Sequence, residues 1–117
     1  DPNLPHLDKI HDNVLSLSYD TFGGDTLIIQ NLPVKQVRLV NRYTGRGILF
    51  TFDGLEVLGL WTMSDERSPF VCLEPWNGLP ASSDETTDAR SKKYARTLTA
   101  GSAHTVNYSV NVILGSR

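Results

Sequence analysis

With 117 residues, 39% of them hydrophobic and 21% charged, the chain has material for one modest core, which excludes a many-domain enzyme. Its net charge of −2 supplies neither a basic footprint for nucleic acid nor a polybasic anchor for an anionic membrane. Cys72 is the single cysteine, so an internal disulfide framework and a multi-cysteine zinc site are excluded too.

The chain opens on Asp1-Pro2-Asn3-Leu4-Pro5, which has neither the basic start nor the apolar stretch of a signal peptide. No initiator methionine precedes it, which fits a processed terminus or a stretch taken from a longer chain. No apolar run approaches the roughly 20 residues of a membrane-spanning helix. The expectation is a soluble, cytoplasmic protein with no nucleic-acid and no membrane partner. After an irregular start over residues 1–13, Leu15, Leu17 and Tyr19 alternate with serines, the period of a half-buried strand from Val14 to Tyr19. Phe22-Gly23-Gly24-Asp25 reads as a turn. Thr26 to Gln30 holds three consecutive apolar residues, as in a strand covered on both faces. From Lys35 to Asn41, Val37 and Leu39 alternate with Gln36 and Arg38. Beyond Gly45-Arg46-Gly47, Ile48, Phe50 and Phe52 share one face, and Asp53-Gly54 turns the chain.

The second half continues in the same rhythm. Val57 to Trp61 and Pro69 to Leu73 are short apolar runs separated by the polar stretch 64–68. The longest alternation comes last, where Val106, Tyr108, Val110 and Val112 are interleaved with Asn107, Ser109 and Asn111. Turn signals recur about every ten residues, the spacing of an antiparallel β-sandwich or barrel. The fold class is all-β. Ser82 to Ala95 has a serine cap, early acids and late bases, but no apolar stripe to hold a helix down. It reads as a long surface loop, with room for one helical turn.

The densest cluster of chemistry-bearing residues is Pro69-Phe70-Val71-Cys72-Leu73-Glu74-Pro75-Trp76-Asn77-Gly78. Strand parity sets Phe70, Cys72 and Glu74 on one face, so a carboxylate ends an apolar strand. Pro75 holds Glu74 extended and fixes the direction of its side chain. A tryptophan beside a carboxylate suits a sugar-stacking wall with a polar group beneath it. Partial burial would make Glu74 a better base near neutral pH. Spacing alone fits a solvated glutamate at a strand end equally well.

The block Phe70-Val71-Cys72-Leu73-Glu74-Pro75-Trp76-Asn77-Gly78 resembles the aldose 1-epimerase (galactose mutarotase) family, and within it the LacX-like branch. Three other segments resemble that branch in the same order: Phe22-Gly23-Gly24-Asp25-Thr26-Leu27-Ile28-Ile29, Leu58-Gly59-Leu60-Trp61, and Lys92 or Lys93 followed by Leu98-Thr99-Ala100-Gly101. The resemblance runs from about Leu15 to Val112. It implies the C-terminal part of a galactose mutarotase-like β-supersandwich that interconverts the α and β anomers of a free aldose, without metal or cofactor. It further implies that Glu74 is the catalytic base and that Asp25 binds sugar hydroxyls, with Trp61 and Trp76 also offered as substrate-binding residues. The family's acid histidine, a second histidine and a substrate-binding arginine precede the matched segment. His6, His11 and His104 stand in none of those contexts. The resemblance therefore implies an N-terminal part of the same protein as a partner, and the isolated chain is expected to be inactive.

Several residues keep a plainer alternative. Asp25 also suits the cap of its glycine turn, Trp61 suits core as well as pocket wall, and Cys72 reads as a small buried hydrophobe. Arg38, Arg42 and Arg46 read as a solvated face. Two other functions compete with the enzyme: a non-catalytic carbohydrate-binding β-sandwich gripping sugar with Trp61 and Trp76, and a half-sandwich packing on another chain. An exposed sheet edge would favour a homo-oligomer.

Overall fold

The computed structural model describes residues 10–63, 65 and 67–115. The first nine residues, with His6 and most of the expected irregular start, lie outside that description. Among these residues the elements are, in order, β1 (Ile10–His11), β2 (Val14–Leu15), α1 (Tyr19–Phe22), β3 (Leu27–Gln30), β4 (Gln36–Val40), β5 (Gly47–Thr51), β6 (Val57–Trp61), β7 (Cys72–Trp76), a 3-10 turn (Ala89–Ser91) and β8 (Ser109–Ile113). All strand pairing is antiparallel, so the all-β class expected from the sequence is the one observed. By its contacts the chain divides into two compact units. One combines the chain up to Asn31 with Glu56–Arg96; the other combines Leu32–Leu55 with the chain from Thr97 onward.

The first unit holds a three-stranded sheet in the order β3-β6-β7. Leu27 pairs with Leu60 and Ile29 with Leu58 across β3 and β6. Leu60 pairs with Leu73 and Leu58 with Pro75 across β6 and β7. Paired residues of an antiparallel ladder share a face, so these side chains form one apolar surface. Leu27, Ile29, Leu58 and Leu60 are buried in it, with Phe22 beside them in the unit's core. Each is worth about 1.5–3 kcal/mol relative to exposure. Ile28 is only half-buried, so β3 is not covered on both faces as its apolar run suggested. β6 is: as the central strand it has Val57, Leu58, Gly59 and Leu60 all buried.

The second unit holds the sheet β4-β5-β8. Val37 pairs with Phe50 and Leu39 with Ile48, while Gln36 and Arg38 lie on the other, exposed face. Phe50 stacks on Phe52 with centroids 5.5 Å apart and meets Tyr108 edge-on at 5.7 Å. The last strand is shorter than its alternation suggests, because Val106 and Tyr108 precede the paired segment. Arg42 and Arg46 are exposed as expected.

Three boundaries differ from the sequence reading. The serine-leucine alternation after Val14 is not one strand: β2 ends at Leu15 and Tyr19–Phe22 is a turn of helix. Ser18 caps it, its backbone N–H donating to Thr21 Oγ1 at 3.0 Å, while the Thr21 hydroxyl donates to the Ser16 carbonyl at 3.1 Å. Ser18, read as the outward face of a strand, instead stands at the start of a helical turn, a position its residue type favours. Ile10–His11 departs from the expected irregular start, pairing with Val14–Leu15 across a two-residue loop. Asp12 and Asn13 have φ of 52° and 61°, as a type I′ hairpin demands, and both types tolerate that region. Finally, β7 begins at Cys72 rather than Pro69.

Candidate functional site

The register of the first unit's sheet assembles the site. On the face opposite the leucine core, Ile28 pairs with Gly59 and Gln30 with Val57. Gly59 pairs with Glu74, Trp61 with Cys72, and Val57 with Trp76. Glu74 therefore shares a face with both tryptophans, and its cross-strand neighbour has no side chain. Among the described residues, no hydrogen bond or ion pair engages its carboxylate. Cys72 lies half-buried on this same face, more open than a core thiol.

The missing side chain at Gly59 has a use. A Cβ there would stand 2.8 Å from Cη2 and Cζ2 of Trp76, closer than packed carbons approach. The indole thus lies across the Gly59 backbone, back toward Glu74, and only glycine gives it room. Pro75 sits mid-strand without an N–H, which β7 tolerates because it is the edge of its sheet. Just past Pro75 the ladder resumes, with the Glu56 N–H donating to the Trp76 carbonyl at 3.1 Å. At the other end of β6, Trp61 tilts against Phe70 with centroids 5.8 Å apart, and Thr62 Oγ1 donates to the Phe70 carbonyl at 2.6 Å. Trp61 is half-buried, a wall of this face rather than core.

A shallow concavity of about 560 Å³ begins where Glu74 ends. Its wall is the 75–80 segment, closed by Lys92 and Ala95. Trp76 supplies an aromatic surface, Asn77 an amide and Lys92 an ammonium, with Glu85 Oε2 3.6 Å from the ammonium. Glu74 itself adjoins this hollow rather than lining it. Beside it, Lys93 Nζ donates to Gln30 Oε1 at 2.8 Å, the Tyr94 hydroxyl donates to the same oxygen at 3.2 Å, and Lys93 lies over the Tyr94 ring. Tyr94 has φ of 63°, a region uncommon for an aromatic residue, and its hydroxyl is anchored on Gln30. Sequence reasoning did not single out Gln30 or Tyr94, since their contact spans more than sixty positions and leaves no local signal.

Asp25 is exposed and committed to its turn: Oδ1 accepts the Thr26 N–H at 2.7 Å, and its own N–H donates to the Phe22 carbonyl at 3.1 Å. His11 is an exposed residue of the first hairpin, and His104 is exposed ahead of β8. Among the described residues no three His, Cys, Asp or Glu side chains gather as for a metal ion. No helix among them is long and apolar enough to cross a membrane.

Comparison with known proteins finds two similar chains, Protein LacX, chromosomal, and Protein LacX, plasmid, both of Lactococcus lactis subsp. lactis. They are 39% and 38% identical over 71 residues. That stretch is 61% of this chain but 23% of each relative, so the chain spans under a quarter of the length of the curated relatives it matches. No protein-family model matches the chain, and no solved structure matches it.

Proposed function

We propose that the chain is a C-terminal portion of an aldose 1-epimerase-like protein acting on a free aldose, within a galactose mutarotase-like β-supersandwich. Glu74 is the base. It takes the proton from the anomeric hydroxyl while an acid protonates the ring oxygen; the ring opens, the C1 carbonyl rotates, and closure yields the other anomer. Paired proton transfer and positioning carry the acceleration. Trp76 and Trp61 would flank the sugar, and Asp25 would bind hydroxyls through Oδ2, since its turn uses Oδ1. The acid, a histidine in the family resembled, would come from the N-terminal part of the same protein, in the cytoplasm.

One observation carries this reading: an unengaged carboxylate on a half-buried strand, facing a glycine, with an indole folded back beside it. The similarity to the LacX proteins over 61% of the chain supports it, and so does the resemblance of the sequence block around that carboxylate to the epimerase family. Polarimetry of freshly dissolved α-glucose or α-galactose is the test. In a chimera joining this chain to the remainder of a LacX protein, Glu74→Gln is expected to slow equilibration about 10²–10⁴-fold. An unchanged rate would defeat the base assignment. The 117-residue chain alone should equilibrate anomers no faster than its Glu74→Gln variant.

The two tryptophans on one sheet face also favour a second reading, a binding module without chemistry. A chimera that binds aldose, seen as a change in tryptophan fluorescence, yet shows no Glu74-dependent rate would select it.

A further inference from the structure

Gln30 ends β3 on the same sheet face as Glu74, and its amide has a fixed orientation. Lys93 Nζ lies 2.8 Å from one terminal atom, and the Tyr94 hydroxyl lies 3.2 Å from that same atom. An ammonium only donates, so the atom it meets is the oxygen, and the NH2 group is turned the other way. Two donors also use both lone pairs of that oxygen. What Gln30 has left is a pair of N–H donors, and among the described residues nothing accepts from them. Tyr94 reaches the amide from left-handed backbone at φ of 63°, a conformation that bulky residues rarely adopt and that clusters at ligand sites. Lys93 lies over the Tyr94 ring, 5.0 Å from its centroid, so the two donors are held together.

The register places this amide opposite the carboxylate. The Trp76 indole leaves β7 and lies across Gly59 of β6. Glu74 adjoins it on β7, and Gln30, paired with Val57, adjoins it from β3. Two strand spacings, about 10 Å, separate the backbones that carry the carboxylate and the amide, with an aromatic surface between them. That is the breadth of a monosaccharide with its hydroxyls. Gln30 also borders the hollow beside Trp76, because Lys92 and Ala95 of its wall are chain neighbours of Lys93 and Tyr94. An anchor for the 92–95 segment needs only the amide oxygen; the unengaged donors suit a ligand acceptor.

We propose that Gln30 is a sugar-binding residue whose NH2 group donates to one hydroxyl oxygen of the aldose, at the edge of the ring opposite Glu74. Lys93 and Tyr94 are its positioning residues. This contact rests on the reading that an aldose occupies this face, and it is independent of whether Glu74 then performs chemistry.

The test is titration of the LacX chimera with an aldose and with its monodeoxy analogues at each position other than C1, followed by tryptophan fluorescence. One deoxy sugar is expected to bind the parent chimera about tenfold more weakly than the full sugar. Gln30→Met should weaken the full sugar about tenfold yet leave that deoxy sugar unchanged, since the two losses remove one interaction. Gln30→Glu keeps the acceptor for Lys93 and Tyr94 and loses the donors. It should bind the deoxyfluoro analogue at the same position more weakly than the parent does, because fluorine accepts but cannot donate. Deoxy penalties that are the same in Gln30→Met as in the parent would overturn the proposal, as would equal binding of the deoxyfluoro sugar by Gln30→Glu. A parent chimera that binds no aldose would overturn both the contact and the site. A Glu74→Gln rate equal to the parent's, with the deoxy penalty still abolished by Gln30→Met, would remove the base assignment and support the Gln30 contact.

Discussion

At Gly59 a single hydrogen atom in place of a side chain decides where an indole lies. The Trp76 ring occupies the space a Cβ would need, and both residues flank Glu74 in the sheet. Gly59→Ala must therefore push the ring off the strand. Overpacking of this kind costs typically 1–3 kcal/mol, less where a half-buried ring can swing outward. The expected outcome is a shifted tryptophan emission, with a melting temperature lowered by a few degrees; an unaltered spectrum would show that the ring does not rest on Gly59. Glu74 and Pro75 were legible as a pair, because proline restricts its predecessor wherever it occurs. The glycine beneath the tryptophan was not, since nothing in Leu58-Gly59-Leu60 announces what will lie across it.

Among the elements, the connection from β6 to β7 is tied to α1 and within itself. The Tyr19 hydroxyl donates to the Ser68 carbonyl at 2.7 Å. Within the loop, Arg67 Nε and Nη2 donate to the Asp65 carboxylate at 3.0 and 2.8 Å, and the Arg67 N–H donates to Oδ1 at 2.9 Å. The guanidinium first, then that amide, hold the Asp65 carboxyl below its ordinary range. A carboxylate lowered on folding stabilises the fold fully above its unfolded pKa, and that contribution fades as pH falls through the lowered folded value. The pair is solvent-exposed and screened by salt, so its effect is local order. The Arg67 amide resonance should hold steady from neutral pH into mild acid and move only below the usual aspartate range. Movement at ordinary aspartate pKa would show the link is not formed. At this scale the sequence reading succeeded where alternation was backed by bulk, as in β4 and β5. It failed at α1, because alternating leucine and serine carries strand periodicity and capping chemistry in the same letters.

Across the whole molecule, stability rests on a few wholly buried side chains, chiefly Phe52, Leu27, Leu58 and Val57. Phe52→Ala should cost about 3–5 kcal/mol, a large share of the about 5–15 kcal/mol available to a typical domain. Urea unfolding should show the midpoint falling sharply; a loss under 1 kcal/mol would mean that Phe52 is not held in a packed core.

The all-β class, the antiparallel rhythm and most strand positions follow from residue order alone, because side-chain alternation and turn chemistry act over a few neighbours. So does the extended carboxylate ahead of proline and tryptophan. Which strands pair, which of them become edges, and which residues meet across a face were decided only by the tertiary structure. Those outcomes depend on register between segments far apart in the chain, where a shift of β7 by one position would turn Glu74, and Trp76 with it, from the face of Trp61 to that of the leucines.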